Sequence, residues 1–526
     1  MLENPHHFPA LVLCCAQNLS HFMKNGTLLA ALDLGSNSFR LEIGRLDNGQ
    51  IHRTEYLKET VRQGNGLDAD RMLSLEAMQR GWDCLARFAE RLAGFERHQV
   101  RAVATQTLRE ARNRQEFLDR AAEILGFHID VIPGREEARL IYQGVAQLLP
   151  QSDERRLVVD IGGRSTELIL GQGYQAETTE SYRVGSVSWS MHYFPDGQLT
   201  PAAFRAAEIA AKAVLDEAIS IYRPSQWDMA YGASGTVGAV ADVLTAAGWP
   251  KDTIDRRGLN WIMEQLLKAG HVDKLRLDGI KDDRRLVIGG GISILCALFD
   301  LLGIEQMQAA DGALRHGVLY DLVQREQVHT DLRAATVDRL AEKFDADREQ
   351  MARVQNTATL LYGQLEHPAG VPADGDVEFE RAQRKLAWAA QLHEIGSHIS
   401  HSDYHRHGAY ILENAHAPGF SLPELHRLSQ LVLGHRGKLR KLEIDLLDAG
   451  FIHQLLALRL SVILCHARRD PEVTGLQLAA PSAQKQKFVL ACPDGWADAY
   501  PQSAHLLREE VAAWQKTPWT LLVTGV

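Results

Sequence analysis

The sequence predicts an α/β protein built on a duplicated strand–turn–strand unit, followed from residue 326 by an all-α domain and from residue 469 by a small mixed α/β domain. Three observations predict it. Asp33-Leu34-Gly35-Ser36-Asn37-Ser38 lies between the apolar run 28–32 and the half-apolar run Phe39, Leu41, Ile43. Asp160-Ile161-Gly162-Gly163-Arg164-Ser165 repeats the pattern Asp-apolar-Gly-x-x-Ser between Leu157-Val158-Val159 and Leu168-Ile169-Leu170. Beyond about residue 325, β-branched strands and glycine turns give way to helical spacing, as in Ala352, Val354, Thr357 and Leu360. A turn of Gly and small polar residues gathers backbone N–H groups onto one point, as phosphate-cradling loops do. A single copy is also an ordinary hairpin signal. Two copies point to a duplicated fold whose loops face each other.

A chain of 526 residues is too long for one core, so three or four domains are expected. The net charge of −10 argues against a general nucleic-acid binder. Six cysteines without CxxC spacing fit free thiols in a reducing cytoplasm, not a disulfide framework or a structural zinc site. No run approaches the ~18 apolar residues of a membrane span, so peripheral membrane association is the one membrane role left open. The apolar stretch from Phe8 to Ala16 has no Lys or Arg ahead of it, which argues against a secretory signal. Residues 1–26 therefore read as a disordered extension, with 1–22 alternatively a mis-assigned start ahead of Met23.

After the first hairpin come strand-like residues through Ile51 and Tyr56 and a Gly-rich loop around Arg62. Leu73, Met78, Trp82, Leu85, Phe88 and Leu92 space out a helix over about 72–94. Val100–Ala104 reads as a strand feeding a helix that opens at Thr105-Gln106 and carries Arg109 in its first turn. Such a helix start binds anions, although an Arg there also suits plain solvation. The strand Ile129–Ile132 stops at Pro133-Gly134, and Glu136-Glu137 begin a new helix. Those two acids either complement the helix dipole or place a general base at the mouth of a phosphate cleft. Gly232-Ala233-Ser234-Gly235-Thr236 and Leu286-Val287-Ile288-Gly289-Gly290-Gly291 repeat the pattern of strand, small-residue turn and helix. Four such turns would converge on one ligand at the carboxyl ends of strands.

In this order, the two Asp-Gly turns, Leu108-Arg109-Glu110-Ala111, Gly134 with Glu136-Glu137-Ala138-Arg139-Leu140, Ser165-Thr166-Glu167, Gly232–Thr236 and Asp311-Gly312-Ala313-Leu314-Arg315 resemble the exopolyphosphatase/guanosine pentaphosphate phosphatase family in its long form. The resemblance covers residues 27–470 and extends over the rest. It implies two actin-like (ribonuclease H-like) ATPase-type domains at 27–138 and 139–325. An HD-like helical domain at 326–468 and a small C-terminal α/β domain at 469–526 follow. The implied reaction is hydrolysis of a terminal phosphoanhydride, on inorganic polyphosphate as the leading expectation or on guanosine pentaphosphate as the alternative. Glu137 would activate the water and Arg109 would clamp an oxygen. Gly35, Ser36, Asn37, Ser38, Gly162, Gly163, Arg164, Ser165, Thr166 and Gly235 would bind phosphate. Asp160, Glu167 and Asp33 would hold Mg²⁺, with a monovalent cation such as K⁺ as a further expectation. A cytoplasmic homodimer is expected from the same resemblance.

Two positions depart from the family pattern: Arg164 stands where a third Gly is usual, and His316 stands where Glu is usual. An Arg avoids positive φ, so Arg164 either loosens the second loop or adds a charged donor to it. In the helical region His393-Glu394 replaces the metal-binding His-Asp pair, so no second catalytic centre is expected there. Arg406, His407, Arg436, Lys438, Arg440 and Lys441 form a basic run in an acidic chain, read as a polyphosphate track or a solvated face. A sugar kinase of the same fold finds no substrate-domain signature here. A non-catalytic sensor is disfavoured by the presence of Glu137, Arg109 and the acidic metal candidates.

Overall fold

The computed structural model describes residues 24–150, 152–325, 331–366, 377–439, 442, 446–481 and 486–526. The extension through residue 23, together with Arg440 and Lys441 of the basic run, lies outside the described residues. Gly26 already donates to the carbonyl of Leu46 at 2.7 Å, so the first sheet is met one residue before 27. The chain divides into two compact units, Met1–Asp331 and Leu332–Val526.

The first unit contains two mixed sheets. One is ordered β3-β2-β1-β4-β5, from β1 (Leu28–Leu34), β2 (Ser38–Asp47), β3 (Gln50–Thr60), β4 (Val100–Ala104) and β5 (Ile129–Val131). The other is ordered β10-β11-β9-β6-β7-β8, from β6 (Arg155–Ile161), β7 (Thr166–Gln172), β8 (Gln175–Tyr182), β9 (Met229–Ala233), β10 (Thr253–Asp255) and β11 (Gln306–Ala309). In each, a three-strand antiparallel meander leads into parallel strands, β1–β4–β5 and β6–β9–β11. The duplication expected from the two turns is therefore a duplication of strand order. β1 and β6 are buried along nearly their whole length, which is why they read as continuous apolar runs without alternation.

Two helices join the lobes by exchange. Gly134–Ala146, which follows the first sheet, packs on β7 and β8, while Leu314–Arg325, which follows the second, packs on β1, β2 and β4. They cross backbone to backbone. A Cβ on Gly317 would strike the carbonyl of Leu140, and one on Gly144 would strike that of Ala313. A buried ion cluster pins the crossing: Arg139 donates to Glu136 at 2.8 Å and to Asp321 at 2.5 Å, and Asp321 also accepts from Arg325 and Arg101. Three arginines hold the Asp321 carboxyl far below the usual carboxylate range against the cost of burial. Glu136 thus belongs to the structure, and its neighbour Glu137 points elsewhere.

Leu286-Val287-Ile288 departs from expectation. It is no strand: Asp282–Arg285 and Ile288–Leu302 are helices, and Gly289–Gly291 lie inside the second. The glycines serve close helix contact, since a Cβ on Gly290 would meet the Ser186 carbonyl and the Ser190 amide. Three glycine turns, not four, end strands at the cleft.

The second unit is mostly helical. Its helices Leu332–Lys343, Arg348–Glu366, Val377–Leu392, Tyr404–Asn414, Leu422–Gly434 and Ala449–Leu464 share one core with the C-terminal segment. That segment forms β12 (Gln477–Ala479), β13 (Lys487–Ala491), helix Pro501–Trp514 and β14 (Thr520–Thr524). Arg459 donates to Glu510 at 2.5 Å and to the Gly434 carbonyl at 2.7 Å, and Trp514 Nε1 also donates to Glu510. Residues 469–526, expected as a small separate domain, are bolted onto the helices by this buried pair and by His453, whose ring meets Phe488 and Trp519 edge-on. Among the described residues Cys84, Cys296, Cys465 and Cys492 carry free thiols.

Candidate active site

The two Asp-Gly turns meet in a cleft of about 480 Å³. They nearly touch: a Cβ on Gly163 would lie 3.2 Å from Ser36 Cβ and 3.7 Å from the Asn37 amide nitrogen. Each turn is held from behind. Gly64 N donates to the Ser36 carbonyl and Arg62 N to that of Asn37, both at 2.8 Å. In the second turn Gly162 N donates to Ser165 O at 2.9 Å, while Ser186 and Val187 amides donate to the carbonyls of Gly162 and Gly163. Tying up the carbonyls leaves a Gly- and Ser-lined surface that suits a phosphate chain. Gly35, Ser36, Asn37, Ser38, Gly162, Gly163, Ser165 and Gly235 all line it.

Glu137 enters the cleft from the first turn of helix Gly134–Ala146. Its carboxylate accepts from Arg109 Nη1 at 2.9 Å. Burial pushes the Glu137 carboxyl up, Arg109 pulls it down, and Asp33 adds to the upward push; the outcome is a raised value. A carboxylate lifted toward neutrality inside a phosphate cleft suits general-base work. Arg109 itself is not at the cleft wall. Its guanidinium is engaged by Glu137, the Ile132 carbonyl at 2.8 Å and Gln106. It holds the base, and so does not clamp a phosphate oxygen in this arrangement.

The lobes differ in how they balance their leading Asp. Asp33 is paired across β1–β2 with Arg40, which donates to it at 2.8 Å. Asp160 is paired across β6–β7 with Glu167, a second carboxylate. Neither has an ion-pair partner among the described residues. Burial, then the Glu137 and Asp33 carboxylates against the opposing pull of Arg40, push Asp160 up to about 7; burial with Glu137 and Asp160 holds Glu167 well above the usual carboxylate range. Uncompensated negative charge of this kind fits a divalent cation. Mg²⁺ takes one or two carboxylates and completes its shell with water and phosphate oxygens. No group of three His, Cys, Asp or Glu among the described residues forms an all-protein cage. Asp33 and Asp160 face the cleft, whereas Glu167 lies behind its wall and accepts from Ser181 Oγ at 2.7 Å.

Two further expectations are corrected. Thr166 is fully buried and donates to the Val184 carbonyl at 2.6 Å, so it fixes the hairpin and offers phosphate nothing. Arg164 keeps a negative φ, and its side chain leaves the cleft to pair with Glu110 at 3.0 Å. His316, given no role, sits 3.2 Å from Glu42, which also accepts from Arg315 at 2.6 Å.

The sequence reading missed a set of cations. Arg40, Lys58, Lys281, Arg284 and Arg315 also line the cleft. Lys58 crosses from β3 to Asp283 of the other lobe at 3.0 Å. Arg40 carried a detectable signal, a charged residue opposite Asp33 on a strand that is otherwise buried inward. Lys58 stands on the edge strand β3 and the others on a loop or in a first helical turn, and none of them carried one. Ser234, at the cleft wall, has φ 87°, a strained conformation for a residue with a Cβ. The Arg284 guanidinium occupies the space beside Gly235 where a Cβ would be. Gly235→Ala will therefore displace a flexible side-chain tip without disturbing the backbone. Steady-state kinetics are expected to show KM about tenfold higher, the loss of one charge-assisted contact, at an unchanged Tm.

In the second unit Arg406, Arg436 and Lys438 are exposed and His407 is half-buried. Arg436 lies over the Tyr404 ring at 4.7 Å. His393 and His435 are buried with ring centroids 5.4 Å apart, each Nδ1 bonded at 2.6 Å to the carbonyl three residues before it. Glu394 is bound by Arg468 at 2.8 Å.

Residues 43–326 match the model of the Ppx/GppA phosphatase family, and residues 332–511 match that of Ppx/GppA phosphatase domain III. The chain is 38% identical to a guanosine-5'-triphosphate,3'-diphosphate pyrophosphatase of Photobacterium profundum, over 94% of this chain and 98% of that protein. A protein of the same name from Aeromonas hydrophila is 38% identical over 94% of this chain and 99% of its own. Among solved structures, an exopolyphosphatase-like protein superposes with a TM-score of 0.51 at 26% identity, covering 57% of this chain and 98% of that one.

Proposed function

Because the chain belongs to the Ppx/GppA phosphatase family, we propose that it hydrolyses the terminal 5'-phosphoanhydride of guanosine 5'-triphosphate 3'-diphosphate, giving the 5'-diphosphate compound and orthophosphate. The observation that carries this reading is the near full-length identity to relatives named for that substrate. It takes precedence over the polyphosphate reading that the basic run suggested from sequence.

In this reading the two Gly-Ser turns cradle the β- and γ-phosphates, and Arg40, Lys58, Arg284 and Arg315 spread positive potential over the rest of the polyanion. Glu137 takes the proton of the attacking water as the new P–O bond forms, and the bond to the bridging oxygen breaks toward the diphosphate. Arg109 keeps the Glu137 carboxylate fixed in one orientation. Asp33 and Asp160 would hold Mg²⁺, which supplies charge neutralisation on the transferred oxygens.

Polyphosphate is the second reading, favoured by the exposed Arg406, Arg436 and Lys438. Orthophosphate release from the pentaphosphate, from ATP and from long polyphosphate separates the two. A kcat/KM at least about tenfold higher for the pentaphosphate is expected, the value of one or two charge-assisted contacts. A preference for long polyphosphate would replace the first reading with the second.

A further inference from the structure

Arg164 is the one residue of the second phosphate turn whose side chain leaves the cleft, and its path can be followed bond by bond. Its Nε and Nη2 donate to Glu110 Oε2 at 3.2 and 3.0 Å. Glu110 Oε1 accepts from Gln106 Nε2 at 2.6 Å. Gln106 Oε1 accepts from Arg109 Nε at 2.9 Å, and Arg109 Nη1 donates to Glu137 at 2.9 Å. A second branch reaches the first phosphate turn: Arg164 Nη1 donates to the Gly64 carbonyl at 3.2 Å, and Gly64 N donates to the Ser36 carbonyl at 2.8 Å. One guanidinium is thus connected to both phosphate turns and to the base. Arg164 belongs to the second sheet's lobe and Glu110, Gln106 and Arg109 to the first, so the chain spans the cleft.

We propose that Arg164 is a positioning residue for water activation, carrying the placement of the second phosphate turn to Glu137 through Glu110, Gln106 and Arg109. This rests on Glu137 being the base. The short helix Gln106–Glu110 is what makes the relay possible. Its Gln106 and Glu110 stand at i and i+4 on one face and its Arg109 at i+3 from Gln106, so one helical turn presents all three links. The amide of Gln106 polarises the relay in one sense only, its NH₂ toward the carboxylate and its oxygen toward the guanidinium. If the second turn moves away, Glu110 loses its partner, Gln106 is free to rotate, and Arg109 loses one of the contacts that aim it. The base is then aligned only when both turns are in place. Water is activated only when the transferable phosphate is held.

The groups that face Glu137 are Arg109, Asp33, Asp160 and Glu167. Of these only Arg109 favours its charged form, so loosening Arg109 raises the pH at which Glu137 protonates. The test measures pH profiles of kcat/KM for Arg164→Ala, Gln106→Ala, their double variant and Glu137→Gln. The substrate is whichever of the pentaphosphate and polyphosphate the wild type cleaves faster. Arg164→Ala is expected to lower kcat about tenfold, as misplacement of a catalytic group does, and to shift the acidic limb upward by about half a pH unit. Gln106→Ala is expected to do the same, and the double variant to be no worse than either. Glu110→Gln, which keeps the shape, is expected to reproduce the shift if Arg164→Ala folds poorly. An unmoved acidic limb, or additive losses in the double variant, overturns the relay while an inactive Glu137→Gln leaves the base standing. An active Glu137→Gln overturns both.

Discussion

Glu137→Gln is expected to reduce kcat by about a thousandfold or more while leaving KM within a few fold, the size of effect a positioned general base contributes. The amide keeps the volume of the carboxylate and still offers an oxygen to Arg109 Nη1, so the cleft and its phosphate contacts survive. Only the ability to accept a proton from water is lost. The variant is also expected to be at least as stable as the wild type without ligand. A carboxyl whose value is raised by folding costs stability once pH passes its unfolded value, and the cost is complete above the folded value. Gln carries no such cost. Single-turnover phosphate release alongside thermal unfolding at pH 8 checks both halves, and a variant that is inactive because it is unfolded would show at once.

Asp160→Asn is expected to separate stability from function more sharply still. Folding moves this carboxyl from 3.8 up to about 7. Keeping it ionised in the folded protein at pH 8 therefore costs on the order of 4 kcal/mol relative to the unfolded chain. The sign follows from linkage: the penalty begins above the unfolded value, grows with pH, and is complete above about 7. Asn removes it. The unliganded variant should therefore melt several degrees higher than the wild type at pH 8. The gain should fall to less than half at pH 5 and vanish near pH 4. Activity should be lost together with any rise in Tm that Mg²⁺ confers on the wild type. A Tm difference independent of pH would mean that Asp160 is not held ionised against its surroundings. Active sites store destabilising charge in this way because substrate and metal are what relieve it.

The parts legible in the sequence were those written in local pattern. Asp33 and Asp160 each close a buried strand with a turn of small residues, and the repeat of that grammar gave the duplicated lobes. By local pattern Glu137 was no more than an acid in a first helical turn, and only the family resemblance marked it as the base. What separates it from Glu136 in the fold is tertiary: Arg139, itself held by Asp321, claims one, and the cleft the other. Leu286-Val287-Ile288 misled because a short apolar run ahead of glycines reads equally as strand or as buried helix. Lys58, Lys281, Arg284 and Arg315 each look like a solvated charge where they stand, and only the fold gathers them in one cleft. Arg164 is the opposite case. Its residue type announced an oddity, but the direction of its side chain, away from phosphate and toward Glu110, is set by a partner more than fifty positions away.

The crossing of helices Gly134–Ala146 and Leu314–Arg325 has a mechanical meaning. Without side chains at Gly144 and Gly317 the two rods meet backbone against backbone and make a fulcrum. Glu137 stands seven residues from Gly144 along the same rod, a lever arm of about 10 Å at 1.5 Å per residue. A tilt of about 10° at the fulcrum would carry its carboxylate about 2 Å, where a displacement of about 1 Å already costs on the order of a hundredfold in rate. The ion cluster around Asp321 is the brace that holds this joint, and with it the rod that carries Glu137.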